Sequence, residues 1–205
     1  MSELWLQWAR RLEAIAQTGL FYVTDQYDRD RYQEIRQIAA EIVANHSRVS
    51  KAEVLPLLSA DDGYATPKVD VRAAVFQEGK LLYVREREDG RWTLPGGWAD
   101  VGQSAAESVV REVREESGYE VKATKLLAFY DRDKHPHPPI LHHSFKMFFR
   151  CELRGGSART SYETTEVAFF GEDEVPELSL PRVLPEQIHH MYEHYRNPNW
   201  PTTFE

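Results

Sequence analysis

Residues Gly96–Tyr119 read GGWADVGQSAAESVVREVREESGY, and this stretch decides how the rest of the chain is understood. Ser104 followed three residues later by Glu107 is a capping box, so a helix is expected to begin near Ala105, and Gly118 falls where a left-handed C-terminal cap belongs. At about 100° per residue, Ala106, Val109, Val110 and Val113 gather into one apolar stripe, while Glu112, Glu115 and Glu116 fill an arc of about 100° along its edge. The carboxylates therefore border the core. Like charges one turn apart cost about 0.2–0.5 kcal/mol per pair, and negative charge near a helix C-terminus is opposed by the helix dipole. A bound divalent cation reverses both penalties, and hard ions such as magnesium or manganese take oxygen ligands. The pair Gly96-Gly97 after Pro95 supplies a loop able to bring backbone carbonyls close to such an ion.

The same residues resemble the Nudix box, whose order is Gly, five residues, Glu, seven residues, Arg-Glu, an apolar residue, any residue, Glu-Glu, any residue, Gly and an apolar residue. Gly97, Arg111, Glu112, Val113, Glu115, Glu116 and Gly118 match in register, whereas Gln103 stands at the first Glu position and Tyr119 at the final apolar one. The resemblance implies an α+β Nudix fold, with mixed β-sheets sandwiched between helices. It also implies hydrolysis of a nucleoside diphosphate linked to another group, with Mg2+ or Mn2+ as cofactor. By position match, Glu112, Glu115 and Glu116 are the expected metal ligands, joined by the Gly97 carbonyl. The resemblance puts Gln103 opposite Arg111, where a glutamine keeps an acceptor oxygen but loses the charge. Asp100, in the same loop, is either a turn-forming aspartate or the source of that missing charge. A further carboxylate is expected from the loop before a late strand, where SYETTEVAFF offers Glu163 and Glu166, with Glu163 favoured by its spacing from Phe169. The catalytic candidates are thus Arg111, Glu112, Glu163 and Glu166, with the general base open among the glutamates.

Helical spacing of apolar residues runs through Leu4, Trp5, Trp8, Leu12 and Ile15. It resumes, after an expected break at Thr18-Gly19, at Tyr32, Ile35, Ile38, Ala39, Ile42 and Val43. Asp28 or Asp30 is the expected cap of the second helix. The organisation expected is a helical hairpin domain over 1–54, a linker over 55–67 and a Nudix domain over 68–205. Within the last, VDVRAAVF and KLLYVRER, joined by Gln77-Glu78-Gly79, read as a hairpin. EVKATKLLAFY, HHSFKMFFRCEL and EVAFF read as further strands, and a helix is expected from about Pro185 to Arg196.

With 205 residues and 41% hydrophobic content, the chain can bury one full core and a small second one. Acidic residues outnumber basic ones 33 to 25, and the net charge of -8 gives no general attraction for nucleic-acid backbones or anionic lipid. The single cysteine, Cys151, reads as a packed strand residue. MSELWLQWARRL lacks the apolar run of a signal peptide, and no apolar stretch approaches the roughly 20 residues needed to span a bilayer. A cytoplasmic location without a membrane partner is expected.

The loop DRDKHPHPPILHH, residues 131–143, is the segment from which substrate contacts are expected. Arg132 and Lys134 suit phosphate, while His135, His137, Tyr130 and Trp98 suit stacking on, or hydrogen bonding to, a base or alcohol group. A solvent-exposed connector is the alternative. A helical hairpin joined to a Nudix domain resembles a two-domain bacterial group that includes CDP-choline pyrophosphatases. That resemblance implies CDP-choline as first substrate, ADP-ribose or related sugar nucleotides as others, and RNA ends as a weaker one given the acidity. Trp5, Trp8, Phe21 and Tyr22 could build a homodimer contact or pack within the monomer. A nucleotide-sensing module without catalysis is the rival class, favoured by Gln103 and opposed by the intact carboxylate set.

Overall fold

The computed structural model describes Glu3–Glu205; Met1 and Ser2, with which the expected helical domain begins, lie outside the described residues. The chain divides into two compact units, Met1–Pro67 with Pro139–His143, and Lys68–Pro138 with Ser144–Glu205.

The first unit is built on α1 (Leu4–Tyr22), α2 (Gln26–His46) and α3 (Lys51–Leu58). Helix α1 runs through the expected break at Gly19. The Tyr32 ring lies so close that a Cβ at Gly19 would sit 2.3 Å from it, so the glycine serves helix contact rather than helix termination. Helix α2 starts earlier than expected. Asp25, not Asp28 or Asp30, is the cap and accepts the Asp28 N–H at 2.9 Å, which leaves Asp28 in the first turn, where the dipole favours a carboxylate. The stretch 55–67, read as linker, begins inside α3. The Ser50–Glu53 capping box starts that helix, and burial of Val54 and Leu58 in the Ala9, Ala39, Ala40 and Val43 cluster holds it despite Pro56. The segment Pro139–His143 joins this unit: Leu141 packs on the same cluster and Arg10 donates to the Ile140 and Leu141 carbonyls.

The second unit is a mixed sheet between two helices. Strands β1 (Lys68–Gln77) and β2 (Lys80–Glu86) form the expected hairpin, and Glu78 and Gly79 both take positive φ at its tight turn. β1 pairs in parallel with β5 (Ser144–Gly156), which pairs antiparallel with β4 (Tyr119–Asp131). β2 also pairs with β6 (Thr164–Phe170). Two short strands not expected from the sequence, β3 (Trp92–Thr93) on β2 and β7 (Thr203–Phe204) on β4, complete it. Helix α4 (Ala105–Ser117) buries Val109 and Val113 against Val71, Ala73, Val75 and Leu82 on one face. Helix α5 (Pro185–Arg196) buries Ile188, Met191 and Tyr192 against Tyr83, Leu127 and Phe148 on the other. This is the α+β arrangement expected, a mixed sheet between helices. Cys151 is buried in the α4-side core, where burial pushes its thiol up to about 12. No helix among the described residues is long and apolar enough to cross a membrane.

Candidate active site

The capping box at α4 forms as its residues dictate. Glu107 N–H donates to Ser104 Oγ at 3.2 Å, and the Glu107 carboxylate accepts the Ser104 N–H at 2.8 Å. Gly118 ends the helix at φ 77°, and a Cβ there would lie 2.6 Å from the Ser157 carbonyl, so only glycine fits. Between β3 and α4, residues 95–99 run beside β1: the Gly97 carbonyl accepts Val71 N–H at 2.8 Å, and Ala99 N–H donates to the Val69 carbonyl at 2.8 Å. Gly96 has φ 143°, and a Cβ there would lie 1.9 Å from the Val71 carbonyl. The bare backbone at Gly96 lets its N–H reach Glu116 Oε2 at 2.8 Å.

Loop and helix thereby enclose two carboxylates. Glu112 is 9% exposed and Glu116 only 4%, so both are drawn into the protein rather than displayed on a solvated face. Burial raises the Glu116 pKa to about 8; Arg72 and the Gly96 N–H oppose the rise, and the charges of Glu112 and Glu86 add to it. Burial likewise raises Glu112, opposed by Arg111 and Arg72. Glu115 stays at the exposed edge and pairs with Arg111. Arg111 is the hub of the outer rim: it reaches Glu115 Oε2 at 2.7 Å, Glu112 Oε1 at 2.9 Å, Asp100 Oδ2 at 2.9 Å and Gln103 Oε1 at 3.2 Å. Gln103 thus faces Arg111, and Asp100 brings a carboxylate to the same guanidinium. Because Asp100 already supplies that charge, Gln103→Glu should leave kcat within about threefold of wild type or raise it modestly, as expected for an added ion pair near the surface. Steady-state kinetics would check this; a loss of tenfold or more would contradict the supporting role of Gln103.

Four buried groups missed in the sequence extend the site inward. Asp70 and Lys146 are register partners in the parallel β1–β5 pair, and Lys146 Nζ donates to Asp70 Oδ2 at 2.8 Å. Arg72 donates to Asp70 Oδ1 at 2.8 Å and to its Oδ2 at 3.2 Å. The charge of Arg72 is felt by Glu112, Glu116 and Glu86 alike. Glu86, at the end of β2, is the fourth. It is buried, which raises its pKa, and it is held by Arg182 at 3.1 Å. Charged residues at alternate positions of the apolar run VDVRAAVF, and a lysine within FKMFF, were the available signals.

The two late glutamates part ways. Glu163 is exposed, on the loop before β6, and its charge adds to the rise at Glu86. Glu166 pairs in register with Arg85 and forms an ion pair with it. Side chains alternate along a strand, so Arg85 and Glu166 lie on the sheet face opposite Glu86. Glu166 is therefore turned away from the carboxylate cluster.

The substrate contacts expected from loop 131–143 are largely taken up by packing. Arg132 is 3% exposed and donates to the Pro138 carbonyl at 2.7 Å and the Pro181 carbonyl at 3.3 Å. His137 is buried, with Nδ1 2.7 Å from the Leu180 carbonyl. That carbonyl can only accept, so Nδ1 carries the proton and Nε2 takes the Gln187 amide at 3.1 Å. Burial depresses His137 to about 3, which keeps it neutral. Tyr130 belongs to the α5-side core, and the His135 ring lies against it, tilted, with centroids 4.5 Å apart and its Nε2 2.9 Å from Glu205. The polar composition suggested a surface, but the partners at Leu180, Pro181 and Gln187 come from distant sequence. Lys134 is exposed, and Trp98, 47% exposed, stands next to Gly97.

Residues 66–194 match the NUDIX domain model, and residues 3–58 match a model described as a UDP-X-like, N-terminal oligomerisation domain. The chain belongs to the NUDIX family and is a pyrophosphohydrolase acting on nucleoside diphosphate-linked substrates. Its relatives include the Bacillus subtilis (strain 168) protein provisionally named ADP-ribose pyrophosphatase YjhB, 44% identical over 98% of this chain and 97% of that protein. The crystal structure of an ADP-ribose pyrophosphatase from Streptococcus suis 89-1591 is 43% identical and covers 68% of this chain and all of its own, with a TM-score of 0.63. That of a UDP-X diphosphatase is 31% identical over 98% of both chains, with a TM-score of 0.65.

Nudix hydrolases generally use divalent metals, and the residues here fit one. The donors are carboxylate oxygens, the set that hard cations prefer. Burial raises the pKa of both Glu112 and Glu116, and the charge of Glu112 adds to the rise at Glu116. A Cβ at Gly97 would come within 3.2–3.3 Å of the Glu112 carboxylate, so the missing side chain leaves space beside it.

Proposed function

We propose that this chain hydrolyses the pyrophosphate linkage of ADP-ribose or a related sugar nucleotide, using Mg2+ or Mn2+ held by Glu112 and Glu116 with Glu115 and the Gly97 carbonyl at the rim. The carrying observation is the burial of Glu112 and Glu116 side by side under a glycine loop, a costly arrangement without a cation. When bound, the cation supplies positive charge against the phosphate oxygens and acidifies water. The chain's own residues do the rest. Arg111 pairs with Glu112, the charge of Arg72 acts on both carboxylates, and the Gly96 N–H fixes one oxygen of Glu116. Glu163, exposed and close enough in charge to affect Glu86, is the carboxylate we assign as general base, with Glu112 its rival. Trp98 and Lys134, both accessible, remain the candidates for substrate contact. Water adds to one phosphorus as the bridging P–O bond breaks, and ADP-ribose yields AMP and ribose 5-phosphate.

ADP-ribose takes precedence over CDP-choline because the Bacillus subtilis relative, matched over 98% of this chain, and the Streptococcus suis structure carry ADP-ribose in their names. The test is a panel of ADP-ribose, a UDP-sugar, CDP-choline, a nucleoside triphosphate and short RNA, each with magnesium. Turnover of ADP-ribose or the UDP-sugar is expected to dominate; preferred cleavage of CDP-choline or RNA would overturn the substrate assignment. We further propose that the chain works as a homodimer located in the cytoplasm. The match to an oligomerisation domain and the exposed Trp8, Ile15, Phe21 and Tyr22 of α1 support the dimer. Light scattering at the mass of one 23.8 kDa chain would contradict it.

A further inference from the structure

The loop that carries Glu163 is tied to α4 by two hydroxyls whose hydrogen-bonding capacity is fully used. Thr164 is buried and donates its one proton to the Glu116 carbonyl at 2.8 Å. Its oxygen accepts the Ser161 N–H at 2.9 Å and lies 3.1 Å from Ser161 Oγ. A hydroxyl has one proton and two acceptor sites. With the proton of Thr164 committed, Ser161 must be the donor across that contact. The Ser161 oxygen then accepts the backbone N–H groups of Glu163 at 3.0 Å and Thr164 at 3.1 Å. On the other side, the Glu163 carbonyl accepts Arg87 N–H at 2.8 Å, and the Arg87 guanidinium donates to the Tyr162 carbonyl at 2.7 Å. The backbone of Glu163 is thus clamped at both ends.

The anchor of the clamp is the main chain of Glu116, whose side chain lies in the buried carboxylate pair. That carbonyl belongs to the last turn of α4, where helix carbonyls lack intrahelical partners. Thr164 therefore does two things with one proton: it satisfies a helix end and it sets the height of the neighbouring loop over that helix. The side chain of Glu163 is exposed and is not held by burial, so its place is set by its backbone.

We propose that Thr164, together with Ser161, is a positioning residue that fixes where the Glu163 carboxylate stands relative to Glu112 and Glu116, a role that rests on Glu163 acting in the hydrolysis proposed above. Removing the hydroxyl without changing the bulk frees the loop by a fraction of its tether while leaving every metal-facing side chain intact.

The test is hydrolysis of ADP-ribose with magnesium by the full chain. Thr164→Val should lower kcat by roughly 30- to 100-fold with KM nearly unchanged, since a misplacement of about 1 Å costs up to about 100-fold. Thr164→Ser, which keeps the proton, should restore the rate to within about fivefold. In a Glu163→Gln background, Thr164→Val should cost less than about twofold, because the group it positions has gone. An unchanged kcat for Thr164→Val, or an equal loss in both backgrounds, would overturn the positioning role. A wild-type rate for Glu163→Gln alone would instead remove Glu163 from the reaction, a distinct failure that lies in the proposed function. Should Thr164→Val fail to give a cooperative melt, Ser161→Ala removes the oxygen that holds the Glu163 and Thr164 N–H groups, and the same pattern is expected of it.

Discussion

Glu116→Gln should lower turnover of ADP-ribose by about 1000-fold or more while leaving the fold intact, because it removes one of two buried carboxylates that face the expected cation. The amide keeps an oxygen for the Gly96 N–H, so the glycine loop retains its contact and the loss is one of charge. Stability should move the other way. Burial raises the Glu116 pKa to about 8, so the folded chain holds a proton there that the unfolded chain releases near 4.5. The stability associated with that proton is complete below pH 4.5 and is lost as pH rises through about 8. Metal-free wild type should therefore gain from Glu116→Gln at pH 8, and added manganese should stabilise wild type but not the variant. Thermal melts at pH 6 and pH 8, with and without manganese, read both effects. Near-wild-type turnover by the variant would contradict the assignment.

Asp70→Asn should cost about 3–5 kcal/mol of stability, the usual penalty when one partner is taken from a buried charge network. Asp70 is the only carboxylate that hydrogen-bonds both Arg72 and Lys146 among the described residues. Its removal leaves two buried cations, and an amide that can still accept but carries no charge. Burial has already pushed Lys146 down to about 8 despite Asp70, so this ammonium stands close to the limit of what the site tolerates. Pairing Asp70→Asn with Lys146→Met should recover part of the loss, since one of the stranded charges goes with it. Urea unfolding at pH 7 measures both; a change below about 1 kcal/mol for Asp70→Asn would show that the network is better hydrated than its burial indicates.

What was legible in the sequence was what local chemistry dictates. The bounds of α4 follow from Ser104, Glu107 and Gly118, and its faces follow from the helical period, which put Glu112, Glu115 and Glu116 alike at the border of the core; that Glu112 and Glu116 are buried while Glu115 is exposed was not separable there. The β1–β2 hairpin follows from its turn residues in the same way. The groups that went unseen meet only through tertiary pairing. Asp70 and Lys146 become neighbours because β1 and β5 align in parallel, and nothing near either residue announces the other. Glu166 stood behind Glu163 on spacing alone, and only the β2–β6 register shows it paired with Arg85. Arg132 and His137 looked like surface ligands because their loop is polar, yet distant carbonyls draw both inside. Gly19 misled for the opposite reason: a residue that usually ends helices here makes room for the Tyr32 ring. Strands β3 and β7, two residues each, are too short to show alternation.

The most direct measurement is a crystal of the chain grown with manganese and a non-hydrolysable ADP-ribose mimic, examined by anomalous scattering. The expected result is an anomalous peak between the Glu112 and Glu116 carboxylates with the pyrophosphate mimic against it. Those carboxylates free of metal, with the mimic bound elsewhere on the chain, would contradict the claim that they are buried in order to hold the cation.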